Sequence, residues 1–130
     1  MSSALDVAKY IVDKVSADGK SISNLRLQYL LYLTQKSALK MYGRTVFHDQ
    51  IEAHRFGPRV KIVFQYFDRY GIKGTPAYNP IVVDDRRIID NVLLYANDRS
   101  LSDLYELCRD KAVNHASLGE VIPTYKIHYA

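Results

Sequence analysis

Residues 23–43 carry the pattern that most narrows the fold. Ser23 or Asn24 can cap a helix there, and Gly43 stands where a left-handed C-terminal stop belongs. Leu27, Leu30, Leu31, Thr34, Ala38 and Met41 fall on one stripe at helical spacing, and Leu25, Tyr32 and Leu39 add a second strip beside it. A helix apolar over most of its circumference must be packed on several sides. The chain is therefore expected to be mainly α, with about five helices gathered around this second one. Lys36, Lys40 and Arg44 recur every four residues and would line its exposed edge.

The other elements are read in the same way. A first helix from about Ala4 to Val15 would bury Leu5, Ala8, Ile11, Val12 and Val15, with Ser3 and Asp6 resembling a capping box. Residues 45–56 lack helical periodicity and end at Gly57-Pro58, so they read as an extended β element. Pro58 suits the first turn of a third helix, about 58–70, with Val60, Val63, Phe64 and Phe67 inward. Residues 71–80, with two glycines and two prolines, form a loop, and 81–83 is a candidate strand. Asp84 or Asp85 would then cap a fourth helix with Ile88, Ile89, Val92, Leu93 and Ala96 as core positions. A fifth, begun near Ser100 or Ser102, would bury Leu101, Leu104, Tyr105, Cys108 and Ala112. In the tail, 124–129 alternates as an edge strand does, although Pro123 could equally open a short helix.

At 130 residues, 48% of them hydrophobic, one domain over residues 1–130 with a core of its own is expected. One cysteine, Cys108, excludes an internal disulfide and fits a reducing compartment. Asp6, Lys9, Asp13 and Lys14 interrupt any apolar leader, and no run approaches the roughly 20 residues of a membrane span. A cytoplasmic location away from the membrane is the expectation.

The net charge of +4 is unevenly distributed: residues 20–73 hold ten Lys or Arg against three acids. A basic middle suggests an acidic partner, either nucleic acid or a protein surface. Arg59, Tyr66 and Arg69, continued by Lys73, would give a basic face with an aromatic among the charges. Such a face can contact phosphates and stack an unpaired base, and Tyr and Arg are equally the residues of protein–protein hot spots. Catalytic patterns are missing: there is no phosphate loop, nucleophile elbow or suggestive carboxylate pair. Cys108 and His115 lie seven residues apart, two turns on a continuous helix, about 10 Å by rise and too far for a thiolate pair. His48 and His54 with Asp49 and Glu52 would converge on a metal only if their segment folded back as a hairpin, so neither metal nor cofactor is expected. Glu52 is expected to accept bonds from nearby N–H groups, Arg55 or Arg59, fixing the turn into the third helix.

Three stretches taken in order resemble a known family. They are Ala4 through Val12, Ile22 through Tyr32 with its Leu27-Gln28-Tyr29-Leu30-Leu31-Tyr32 core, and Phe47 through Pro58 with Glu52-Ala53-His54-Arg55-Phe56-Gly57-Pro58. Together they are similar to the Panacea-domain family, the SocA-like antitoxins and phage-associated proteins. His54 stands where that family usually carries tryptophan. The resemblance implies a non-enzymatic module of bacteria or phages that neutralises a partner protein, such as a cognate toxin or host target. Arg55, Arg59, Tyr66 and Arg69 are the expected contacts, with Glu52 and His54 beside them and Gly57 and Pro58 shaping the segment. The alternative is a nucleic-acid-binding regulator that uses the basic surface of residues 20–73. A symmetric homodimer is compatible with either reading and required by neither.

Overall fold

The computed structural model describes residues 1–73 and 77–130, so residues 74–76 of the expected 71–80 loop lie outside the described residues. Seven helices and one two-stranded antiparallel sheet make up the described chain: α1 Ala4–Ala17, α2 Asn24–Tyr42, β1 Glu52–His54, β2 Gly57–Arg59, α3 Lys61–Tyr70, α4 Val83–Ala96, α5 Leu101–Cys108, α6 Lys111–Asn114 and α7 Thr124–His128. No helix among the described residues is long and apolar enough to cross a membrane.

The mainly helical fold around α2 is as expected. Ser3 and Ser23 each accept the N–H three residues on, from Asp6 and Arg26, and Gly43 closes α2 in the left-handed conformation. Eleven residues of α2 are buried, and α1, α3, α4, α5, α7 and β2 all pack on it. Arg26 also bonds the end of α4, its guanidinium donating to the carbonyls of Ala96 at 2.7 Å and Arg99 at 2.8 Å. Such a cation satisfies orphan C-terminal carbonyls and favours the negative end of the helix dipole.

Several boundaries differ, each for a local reason. Pro58 does not open a helix; it lies in β2 opposite Ala53, and α3 starts only at Lys61. A proline in an edge strand sacrifices no ladder bond that its neighbours need. The β element thus occupies 52–54 and 57–59 rather than filling 45–56. Residues 81–83 form no strand: Ile81 is buried, Val82 is the extended residue before α4, and Val83 begins that helix. Neither Asp84 nor Asp85 caps α4, and Asp85 turns inward to meet Arg44 at 2.7 Å. The expected fifth helix breaks at Arg109, because Asp110 adopts an extended backbone and accepts the Val113 N–H to start α6. Leu101, at the first position of α5, is exposed, and Ala112 is buried as part of α6. In the tail the proline prevails over the alternation: α7 follows Pro123, burying Ile127 and leaving Tyr125 and Tyr129 outside. Met41, placed by its stripe in the core, is 62% exposed.

Candidate partner-binding surface

The segment 46–60 has little regular structure of its own, and α2 holds it at three points. Gln35, 1% exposed, accepts the Val46 N–H at 2.9 Å and donates to the Phe47 carbonyl at 2.7 Å. Two turns earlier on the same face, Gln28 accepts the Val60 N–H at 2.9 Å and donates to Asn24 at 3.1 Å. Asn24 in turn donates to the Phe64 carbonyl at 2.9 Å, tying α3 to the same network. Between the two glutamines the Tyr29 hydroxyl donates to the Phe56 carbonyl. Burial pushes that phenol up to about 12, so it stays protonated as a donor. A buried peptide group without a partner is costly, and these side chains supply the partners that a short sheet cannot.

The free edge of β1 is covered from the C-terminal side. Ala53 N–H donates to Glu120 at 2.9 Å, Gly119 N–H to Ala53 at 2.8 Å and Ile122 N–H to Ile51 at 2.8 Å. Across the hairpin, Glu52 pairs with Arg59 in register, and the Arg59 Nε donates to the carboxylate at 2.9 Å. Arg59 is one of the partners expected for Glu52, but the pair closes the hairpin and not the turn into α3, which begins at Lys61. Arg55 and Phe56 form the two-residue turn. Gly57 follows with φ of 115°, and a Cβ there would lie 3.0 Å from the Tyr29 ring, so both conformation and space demand glycine.

Around this turn the side chains form one basic and aromatic cluster. The Arg55 guanidinium lies 5.5 Å over Phe56 and that of Arg59 5.0 Å over Phe64. The His54 ring sits 6.2 Å from Phe56 and 6.3 Å from Phe64. Burial, and then the neighbouring Arg59, hold the imidazole below the ordinary histidine range, against the opposing pull of Glu52. Arg55 and Phe56 are exposed at the tip, Phe56 by 52%, whereas Arg59 is largely covered.

Tyr66 and Arg69 do not join this cluster. Tyr66 leaves α3 about 200° round the helix from Phe64. It lies half-buried toward α1, with the Lys9 ammonium 5.0 Å over its ring and Phe67 and Tyr70 against it at 5.1 and 4.9 Å. Arg69 stacks on Tyr70 at 5.4 Å. The expected face of Arg55, Arg59, Tyr66 and Arg69 is therefore two patches on opposite flanks of α3. Exposed Phe56, Ile62 and Tyr70 were not among the expected contacts. Their signal was apolar residues beside Arg or Lys in a segment bounded by glycines.

The basic middle is also less available than its count suggests. Lys36 meets Asp110 at 2.7 Å, Arg44 meets Asp85 at 2.7 Å and Arg59 meets Glu52, so three of its ten cations are matched, two of them by acids outside the segment. Cys108 is fully buried, its thiol pushed up by burial, and its S–H points at the Tyr29 carbonyl, while His115 is exposed on α6's far end. Asp49 accepts the Ala4 N–H at 2.8 Å and Glu52 is held by Arg59. Among the described residues no group of three His, Cys, Asp or Glu side chains is placed to hold a metal ion.

No family model matches the chain, and no solved structure matches it. It is similar to antitoxin SocA of Caulobacter vibrioides (strain NA1000 / CB15N), 39% identical over 67 residues. Those residues are 52% of this chain and 36% of the length of the relative, so the chain spans little more than a third of the antitoxin it matches.

Proposed function

We propose that the chain is a non-enzymatic, antitoxin-like binding module of the SocA-like, Panacea type, acting in a bacterial or phage-infected cell by masking a partner protein. The similarity to an antitoxin supports the class of function. The observation that carries the choice of surface is the Arg55-Phe56 turn, raised on buried bonds from Gln28, Tyr29 and Gln35. An arginine and an aromatic presented on a fixed backbone lose little freedom on binding, which is what an anchor residue requires.

In this reading Arg55 and Phe56 enter the partner. Glu52, His54 and Arg59 hold the hairpin beneath them, Gly57 and Pro58 set its shape, and the Tyr66–Arg69 patch contributes at the flank. The test compares capture of the partner protein by wild type, by Arg55→Ala with Phe56→Ala, and by Arg59→Ala with Arg69→Ala. The first pair should weaken capture by roughly tenfold or more, since each anchor accounts for about 1–2 kcal/mol. Circular dichroism should show both variants folded. Unchanged capture by both pairs would move the contact surface elsewhere.

A further inference from the structure

A second surface of α2 is apolar and uncovered. Leu33 forms the floor of a groove of about 260 Å³ whose walls are Met41 of α2, Tyr95 of α4 and Leu107 of α5. The floor is 6% exposed, but Met41, Tyr95 and Leu107 are 62%, 42% and 38% exposed. Here three large apolar side chains stay open around one depression and not scattered singly, with lysines at the rim, which is the arrangement of an interaction patch. Methionine at the lip suits a groove that adapts its shape to what enters.

Charge narrows the occupant. No aspartate or glutamate lines the groove, whereas Lys36 and Lys40 do. Lys36 is already matched by Asp110 at 2.7 Å. Lys40 is exposed and, among the described residues, has no carboxylate partner. Arg99 does not line the groove but stacks on its Tyr95 wall, with the guanidinium 6.0 Å over the ring, the Nε donating to the Tyr95 carbonyl at 3.1 Å and, among the described residues, no acid bound. An apolar floor with one unmatched cation in its lining and a second stacked on its Tyr95 wall is complementary to carboxylates flanking apolar side chains.

We propose that this groove docks an acidic amphipathic segment of a second protein. Apolar side chains of that segment enter between Met41, Tyr95 and Leu107, and its carboxylates meet Lys40 and Arg99. From Leu33 to Met41 the α2 wall rises about 12 Å, enough for two turns of a partner helix with apolar residues at i, i+3 or i+4, and i+7. The groove is separate from the hairpin turn, and the proposal stands whichever surface binds an antitoxin target.

Met1 and Met41 are the two methionines of the chain, so a methyl-13C-methionine sample reports on the groove with its own control. The full chain is titrated with a synthetic Leu/Glu amphipathic helix, with its Leu/Lys counterpart and with a scrambled Leu/Glu sequence. A saturable shift of the Met41 methyl by the first peptide alone is expected, with Met1 unmoved. In Lys40→Glu, a change of an exposed side chain, affinity should fall roughly two- to fivefold, as the loss of one exposed ion pair implies. The proposal is overturned by no Met41 shift, by equal shifts from the Lys or scrambled peptide, or by a Met41 shift with protein concentration alone, which would seat a second copy there.

Discussion

Gln28 and Gln35 are each 1% exposed in the most apolar helix of the chain, and the bonds they make reach backbone groups 11 to 32 residues further on. Replacing Gln35 by Leu keeps the volume near constant but strands the Val46 N–H and the Phe47 carbonyl. Each buried group left unpaired costs about 1–3 kcal/mol, so Gln35→Leu should destabilise by about 2–6 kcal/mol in urea unfolding. A midpoint equal to wild type would show that the segment does not depend on this amide. Hydrophobic periodicity treats a glutamine as a surface residue, and nothing local identifies a partner so far along the chain. The sequence therefore placed Gln28 in a motif without revealing what the motif holds. His54 makes a second prediction at this scale. Its folded pKa is lowered below the ordinary value of about 6.5, so the unfolded chain takes up the proton first. The associated stability is present above about pH 6.5 and is lost as pH falls through the depressed folded value. His54→Phe removes the titration, so its unfolding midpoint should drop less than that of wild type between about pH 7 and pH 5. Equal drops would contradict the burial of this imidazole.

Among elements, those fixed by neighbours in sequence were readable. Ser3, Ser23 and Gly43 cap α1 and α2 through contacts within four residues, and the stripe of α4 names all of its buried face but Asp85, whereas that of α1 names Ala8, Ile11 and Val12 and misses Ala4, Val7 and Tyr10. Elements decided by distant groups were not. Pro58 is as suitable for an edge strand as for a first helical turn, and only the pairing of Arg59 with Glu52 and of Val60 with Gln28 selects the strand. The tail alternates like a strand, yet the position beside β1 is taken by residues 119–122, and the chain after Pro123 coils instead. The hairpin's shape rests on Gly57. Gly57→Ala places a side chain at a φ of 115° and 3.0 Å from Tyr29, which should cost about 2–3 kcal/mol of stability in thermal or urea unfolding. A cost below about 0.5 kcal/mol, the usual range for a neutral surface change, would mean that the turn relaxes freely and is not a fixed anchor.

For the whole molecule, the count of charges proved a poorer guide than their pairing. The excess of cations in residues 20–73 pointed equally to nucleic acid and to protein, because a sequence does not show that Asp85 and Asp110 fold back onto Arg44 and Lys36. What remains at the hairpin is an arginine and a phenylalanine on a rigid turn, a contact suited to a protein pocket. Phosphate-driven binding weakens by orders of magnitude between about 50 and 200 mM salt, whereas a largely apolar anchor does not. The central claim, that this chain masks a protein, is tested most directly by capturing the tagged full chain from its host or from phage-infected cells, with and without nuclease. The account predicts a protein partner that survives nuclease and about 200 mM salt and is toxic when expressed alone. Recovery of nucleic acid alone, lost on nuclease treatment or at that salt, would contradict it.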